Sequence, residues 1–280
     1  MQAFGHIPFH SPIQDYLVLI WELNGHNKQK ELILPKGIIE IIFNLSSPMS
    51  AVLPGGKFAV KAPTCFIQGI HTGITKVDYH GHQHLFGLRL RPHAVRSLLG
   101  ILPSEISNQA IDLTLINTHF YGLWQQLVEA TSFNERIKVV ESQFSPVKIN
   151  KCPRTELLSN LFLQGNLQLV ISKNLNRYIG KIDVFESVDS LAQKVCFSAR
   201  HLQRKSKELF GMNAEELIRY KKFVNAVELI HRGKYSLSEI ANLSGFYDQS
   251  HFIHVFKAYS SMTPKVYEKS KGNLPFHLFS

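Results

Sequence analysis

The feature that most restricts how this chain can fold is a repeat inside its last hundred residues. Leu191-Ala192, Phe197 and His201-Leu202 recur as Ile240-Ala241, Phe246 and His251-Phe252, offset by 49 residues before an expected turn and 50 after it. Such a period marks a duplicated supersecondary unit. In the second copy Ser236 is placed to cap a helix over Leu237–Leu243, with Glu239 near the helix's positive end. Ala241 is small where two helices must cross closely. Gly245, four residues on, suits a short turn that needs φ > 0. The spacing predicts a second helix over about 248–259, with Phe252, Val255, Phe256 and Tyr259 on an i, i+3, i+4, i+7 core stripe. Gln249, Ser250, Ile253, His254 and Lys257 fall on its other face. In the first copy a helix over 191–195 carries Ala192 as the crossing residue. A trailing helix over 199–210 buries Leu202 and Leu209 and exposes Arg200, Gln203, Arg204 and Lys207.

These exposed sets point to DNA. A helix of this kind fits the major groove with its N-terminal residues at base edges, where arginine binds guanine bidentately and glutamine binds adenine. One such face alone is as well explained by solvation; two in a period-matched repeat are not. The candidate base readers are Gln203 and Arg204, with Arg200, in the first unit, and Gln249, then Ser250 and His254, in the second. A long helix over about 214–231 lies between them. Its 18 residues span roughly 27 Å, comparable to the roughly 34 Å between successive major grooves. One polypeptide could then read about 20 base pairs without a partner. Arg219, Lys221 and Lys222 on this helix read as phosphate contacts or solvated charge.

Net charge supports a polyanionic partner without locating its surface. The chain carries +10, yet residues 181–280 hold 15 lysines and arginines against 10 acids, only half of that excess. No apolar run approaches the roughly 20 residues of a membrane span, and the start of the sequence does not read as a secretory signal. Cys65, Cys152 and Cys196 are too scattered for a disulfide framework. A cytoplasmic protein with no membrane contact is expected.

The first ninety residues read as short strands over 16–23, 38–45, 64–70, 75–79 and 84–90, separated by turns such as Asn24-Gly25 and Pro54-Gly55-Gly56. From Pro92 the pattern turns helical, with a short helix ending at Gly100 and further segments over about 104–109, 118–130, 133–143, 154–164 and 167–178. The two prolines bracketing SPVKINKCP (145–153) mark the best hinge, and Gly165-Asn166 a break between helices. The expected class is α+β: a β-rich sensing or dimerisation domain with trailing helices over 1–145, a linker with helices over 146–180, and an all-α tandem helix-turn-helix domain over 181–280.

Residues 236–267, SLSEIANLSGFYDQSHFIHVFKAYSSMTPKVY, resemble the C-terminal signature of the AraC/XylS family of bacterial transcription regulators, and SARHLQRKSKELFG (198–211) resembles that family's first recognition helix. The resemblance implies base-contacting roles for Arg200, Gln203 and Arg204 in the first unit and Gln249, Ser250 and His254 in the second. It also implies double-stranded promoter DNA and RNA polymerase as partners, and no cofactor. The chain departs from the family pattern at four places. Ser206 replaces the aromatic that matches Phe256, with Leu209 or Phe210 available to fill its space. Cys196 replaces the turn glycine matching Gly245, Ala214 the proline matching Pro264, and His254 a common arginine or lysine.

Family members usually pair this half with a sensing or dimerising domain. LPKGIIEIIFNL (34–45) and GLRLRP (87–92) resemble an N-terminal domain of unknown function found in some of them, which implies a β-rich, cupin-like barrel and an unknown small-molecule effector. His80-Gly81-His82-Gln83-His84 invites a rival reading. On a strand the three imidazoles would share a face and suit a transition metal, making the first half a metal-dependent cupin-like enzyme or metal sensor. A polar turn before the strand over 84–90 explains the same residues. No catalytic triad, phosphate loop or paired-carboxylate motif supports an enzyme. A third reading has the first half serve only to form a homodimer.

Overall fold

The computed structural model describes residues 2–8, 11–26, 30–144, 152–163 and 187–279. Most of the expected hinge, the break at Gly165-Asn166 and the expected helix over 167–178 lie outside the described residues.

The first half is built from two antiparallel sheets. Six strands form the larger: β1 (Gln2–His6), β2 (Leu17–His26), β4 (Ile39–Asn44), β7 (Cys65–Gln68), β9 (His82–Leu90) and β10 (Ala110–Asp112), in the order β1-β2-β9-β4-β7-β10. The second contains β3 (Lys30–Ile33), β5 (Met49–Val52), β6 (Val60–Lys61), β8 (Thr75–Tyr79) and β11 (His277–Phe279), in the order β11-β3-β8-β5-β6. β4 is buried at every position, which suits a strand covered on both faces. Ile42, Phe66 and Leu85 face Met49, Val77 and Tyr79 between the sheets, while Ile41, Phe43, Phe86 and Leu88 belong to the core shared with the helices. Gly87 stands opposite Trp21 in the β2–β9 ladder. A Cβ there would lie 2.1 Å from the indole, so glycine is what lets Trp21 lie across the sheet.

Four helices follow these strands: α1 (Val95–Leu99), α2 (Leu113–Ile116), α3 (His119–Glu129) and α4 (Phe133–Phe144). The apolar stripes of α3 (Phe120, Leu123, Leu127) and α4 (Ile137, Val140, Phe144) close over the outer face of the larger sheet. Trp124 Nε1 donates to the Asn44 carbonyl at 2.8 Å, and Arg136 pairs with buried Glu22 at 3.1 Å. The segment expected to be helical near 104–109 is a single 3-10 turn, Pro103–Ile106. Among the described residues, α5 (Pro153–Leu163) is followed by six helices: α6 (Val188–Lys194), α7 (Ala199–Phe210), α8 (Ala214–Arg232), α9 (Leu237–Leu243), α10 (Gln249–Ser260) and α11 (Pro264–Ser270).

Two of the contacts that tie the halves together lie at α8 and at β11. The Tyr220 hydroxyl, on α8, accepts from Gly37 N and donates to the His71 carbonyl, each at 2.8 Å. After α11 the chain returns to the first half, where β11 adds to the edge of β3. The sequence expectation placed no strand there.

Candidate nucleic-acid interface

Both helix-turn-helix units form from local signals. Ser187 and Ser198 cap α6 and α7, while Ser236 and Asp248 cap α9 and α10, each accepting from the backbone N–H three residues on. In each unit the turn closes on its crossing alanine: Phe197 N donates to Ala192 O at 2.9 Å and Phe246 N to Ala241 O at 3.0 Å. Gly245 has φ +80°, and Cys196, its counterpart, is forced to φ +55°. The first turn thus keeps a geometry made for glycine with a side chain in place, which costs backbone energy.

The other departures are also resolved locally. Ser206 is wholly buried and its hydroxyl lacks a partner. The aromatic packing is supplied instead by Phe210, whose ring lies 4.5 Å from that of Phe162 on α5. Pro264 opens α11 without an N–H to satisfy. Ala214 opens α8 with one, and Gln203 Oε1 accepts from it at 3.0 Å. The Gln203 amide also donates to both Glu215 oxygens, at 3.0 and 2.8 Å. Gln203, expected to reach a base, is thus engaged in anchoring the start of α8.

The rest of the expected contact set remains at the surface. Arg200, Arg204 and Lys207 are exposed along one stripe of α7, and Ser250, His254 and Lys257 occupy the same stripe of α10, fifty residues later at every position. Gln249 is exposed at the first turn of α10. Sequence reasoning passed over Tyr247, which is 91% exposed immediately before the α10 cap. Its only sequence signal is its place after Gly245-Phe246, at the positive end of a recognition helix.

Lys221 is corrected outright. It is 1% exposed and its ammonium donates to the Phe162 carbonyl at 2.8 Å, so it is neither solvated nor a phosphate contact. It shares a buried polar seam of α8 with Glu228, whose carboxyl is pushed up to about 8 by burial against the pull of Lys221 and Arg232. Arg219 is exposed.

The histidine cluster also takes a definite place. β9 begins at His82, two residues earlier than expected, and Gly81 (φ +86°) makes the preceding turn. His82 packs edge-on to His26 at 5.2 Å, and His84 Nε2 lies 3.2 Å from Glu22 Oε1. His80 is exposed in the turn. Among the described residues no three His, Cys, Asp or Glu side chains are grouped to hold a metal ion, and no helix is long and apolar enough to cross a membrane.

A cavity of about 590 Å³ lies between the sheets, with a mostly aliphatic and aromatic wall and a charged end. At that end Glu40 accepts from Trp21 Nε1 and Gln68 Nε2, both at 3.0 Å, and pairs with Arg89 at 3.1 Å. Burial pushes the Glu40 carboxyl up, but Lys36 and Arg89 more than offset this and hold it below the usual range.

Two capped, alanine-crossed helix pairs at the ends of one long helix, each with a polar stripe turned to solvent, define a tandem helix-turn-helix DNA-binding protein. Comparison with known proteins agrees. Residues 191–270 match the family described as "Helix-turn-helix domain", and residues 6–112 match "Domain of unknown function (DUF6597)". Over 88 residues, 31% of this chain and 71% of the relative, it is 30% identical to the probable transcription factor PqrA of Proteus vulgaris. Over 101 residues, 36% of this chain and 75% of the relative, it is 30% identical to the transcriptional activator AarP of Providencia stuartii. Among solved structures, ToxT from Vibrio cholerae aligns with 89% of this chain and 95% of its own, at 13% identity and a TM-score of 0.42. The chain belongs to the AraC/XylS family of transcription regulators.

Proposed function

We propose that this chain regulates transcription by laying α7 and α10 in successive major grooves of promoter DNA, under the control of a small molecule bound in its first half. The observation that carries this reading is the match between the two exposed stripes, Arg200/Arg204/Lys207 and Ser250/His254/Lys257, on the helices that flank α8 in the sequence. The 19 residues of α8 span about 28 Å at the helical rise, close to the groove repeat. Arg204 reads a base and Arg200 supports it, while Lys207 and Lys257 neutralise phosphates. Gln249, Ser250 and His254 make the lesser contacts of the second unit. Tyr247 extends from the same end of α10, where its hydroxyl can donate to a phosphate. Gln203 contributes by holding α8 to α7.

The protein acts by binding and not by catalysis, in the bacterial cytoplasm, with RNA polymerase as the machinery it recruits or blocks. A homodimer would double the site into two such tandem segments. Selection of bound duplexes from a random pool by the full chain tests the reading. The expected winners carry two short preferred segments about one helical turn apart. Recovery of sequences with no shared segment would reject it.

A further inference from the structure

The last strand belongs to the first half by its hydrogen bonds and to the second half by its place in the chain. Three register pairs, His277↔Ile33, Leu278↔Leu32 and Phe279↔Glu31, hold β11 to β3. Just before it, Phe276 O accepts from Leu34 N at 2.8 Å, and Phe276 N donates to the Tyr267 hydroxyl of α11 at 3.0 Å. That hydroxyl lies 2.7 Å from His231 Nε2 of α8, and the Tyr267 ring 5.7 Å from Phe256 in the core of α10. Phe276 is wholly buried at φ +68°, a conformation that a bulky residue keeps only when its surroundings impose it. So short a strand, entered through a strained residue, depends on what its side chains find on the other side.

His277 finds a charged cluster. Its side chain is 20% exposed, with Nδ1 on Glu31 of β3 and Nε2 3.5 Å from the Lys36 ammonium. Behind these stand Glu40 of β4, 3.9 Å from Lys36, and Arg89 of β9, paired with Glu40 at 3.1 Å. Tyr79 of β8 donates to the other Glu31 oxygen; burial and that carboxylate push its own pKa up, so it adds no charge. The two carboxylates and two cations cancel. A neutral imidazole fits this set, its Nδ1–H donating to Glu31 while Nε2 turns a lone pair toward Lys36. A second proton would sit on Nε2, facing an ammonium, and would leave the cluster with one uncompensated positive charge. Burial and Lys36 accordingly hold the imidazole below its usual range, against the pull of Glu31 and Glu40. His231, at the far end of the link, is pushed down to about 4, by burial first and then by Lys271 and His277.

We propose that β11 is a proton-released clasp: neutral His277 holds the C-terminal strand on β3, and its protonation frees the second helix-turn-helix unit from this edge of the first half. In the released strand the imidazole takes up its proton near pH 6.5; in the closed clasp it does so lower. The closed state therefore binds fewer protons. Its stability is complete above about pH 6.5 and is lost as pH falls from there toward the closed-state value, about tenfold per pH unit. Burial raises the Glu31 carboxyl, but His277 and Tyr79 more than offset this, so its own contribution is lost only below its ordinary value of 4.5. The clasp does not rest on the DNA reading above.

The test follows amide exchange in the full chain, as protection factors over 30–36 and 274–279, between pH 8 and 5. Protection of Leu34 and of 277–279 should fall together below about pH 6.5, about tenfold per unit, while the β2–β9 ladder keeps its protection. His277→Gln retains a donor and an acceptor but does not titrate, and should hold protection constant across the range. Lys36→Gln should move the loss down by about one pH unit, because a charged His277 would then face no ammonium. His71, beside the Tyr220 contact and also pushed down to about 4 by burial, is the control: His71→Gln should leave the transition in place. Constant protection in the unaltered chain, or the same loss in both His277→Gln and Lys36→Gln, would overturn the clasp. A loss that vanishes in His231→Gln and persists in His277→Gln would overturn His277 as its pin. If His277→Gln leaves the strand open at every pH, Lys36→Gln decides: a downward shift supports the clasp and no shift overturns it.

Discussion

α7 and α10 present the same three positions to solvent, fifty residues apart, and fill them with different chemistry. The first unit offers Arg200, Arg204 and Lys207; the second offers Ser250, His254 and Lys257. Their frameworks differ in the opposite sense. The second turn has a glycine where φ is +80°, and its core closes on Phe252, Phe256 and Tyr267. The first bends through Cys196 at φ +55°, buries an unpartnered Ser206 hydroxyl, and needs Gln203 to satisfy Ala214. Duplication has left the more basic stripe on the more compromised scaffold. The lesson is that side chains at equivalent positions need not share a job. Gln203, next to Arg204, is bound to the start of α8, whereas its counterpart Ile253 lies exposed.

The largest effect that would sharpen this contrast is expected at Arg204. Arg204→Ala should cost on the order of 1–3 kcal/mol at a selected duplex and relax preference at one base pair, while His254→Ala should cost less than about 1 kcal/mol, within the range of a single neutral hydrogen bond. Equal losses in duplex titrations would erase the asymmetry. Gln203→Ala should lower unfolding stability by about 1 kcal/mol without changing which bases are preferred. In an Ala214→Pro background, where the N–H is gone and Asn213 already has an extended backbone, most of that loss should vanish. A changed base preference would restore Gln203 as a reader. Cys196→Gly should raise stability by about 0.5–1 kcal/mol, since a left-handed residue gains more than glycine's flexibility costs; a lower denaturation midpoint would show the turn to be unstrained. The smallest effect is expected at Lys257. Lys257→Ala should weaken all duplexes alike and reduce the slope of log K against log salt by about one unit.

How far the sequence could be read follows from where each element gets its stability. The helices of the second half carry their own caps, turn residues and apolar stripes, so α7 and α9 fall on the expected residues and the other boundaries shift by a few at most. The strands β2, β4, β7 and β9 announce themselves by dense apolar runs, and β8 by the alternation of Thr75, Val77 and Tyr79 with Lys76 and Asp78. β3, β5 and β11 do not, because they are short and their inward residues face a cavity and a charged cluster. β11 in particular is a strand only by virtue of its partner β3, and no local pattern in its three residues encodes that. The burial of Lys221 is hidden from the sequence for a related reason. A lysine on a long helix looks solvated unless one knows that α5 brings the Phe162 carbonyl to it. The exposed stripes were legible because exposure on a helix follows from its period. The redirection of Gln203 was not, since it depends on an N–H eleven residues away.

The most direct test of the central claim is footprinting of the full chain and its Arg204→Ala and His254→Ala variants on one selected duplex. The account predicts two protected segments about one helical turn apart, with Arg204→Ala strongly weakening one and His254→Ala weakening the other only slightly. A single protected segment, or protection unaffected by both substitutions, would contradict it.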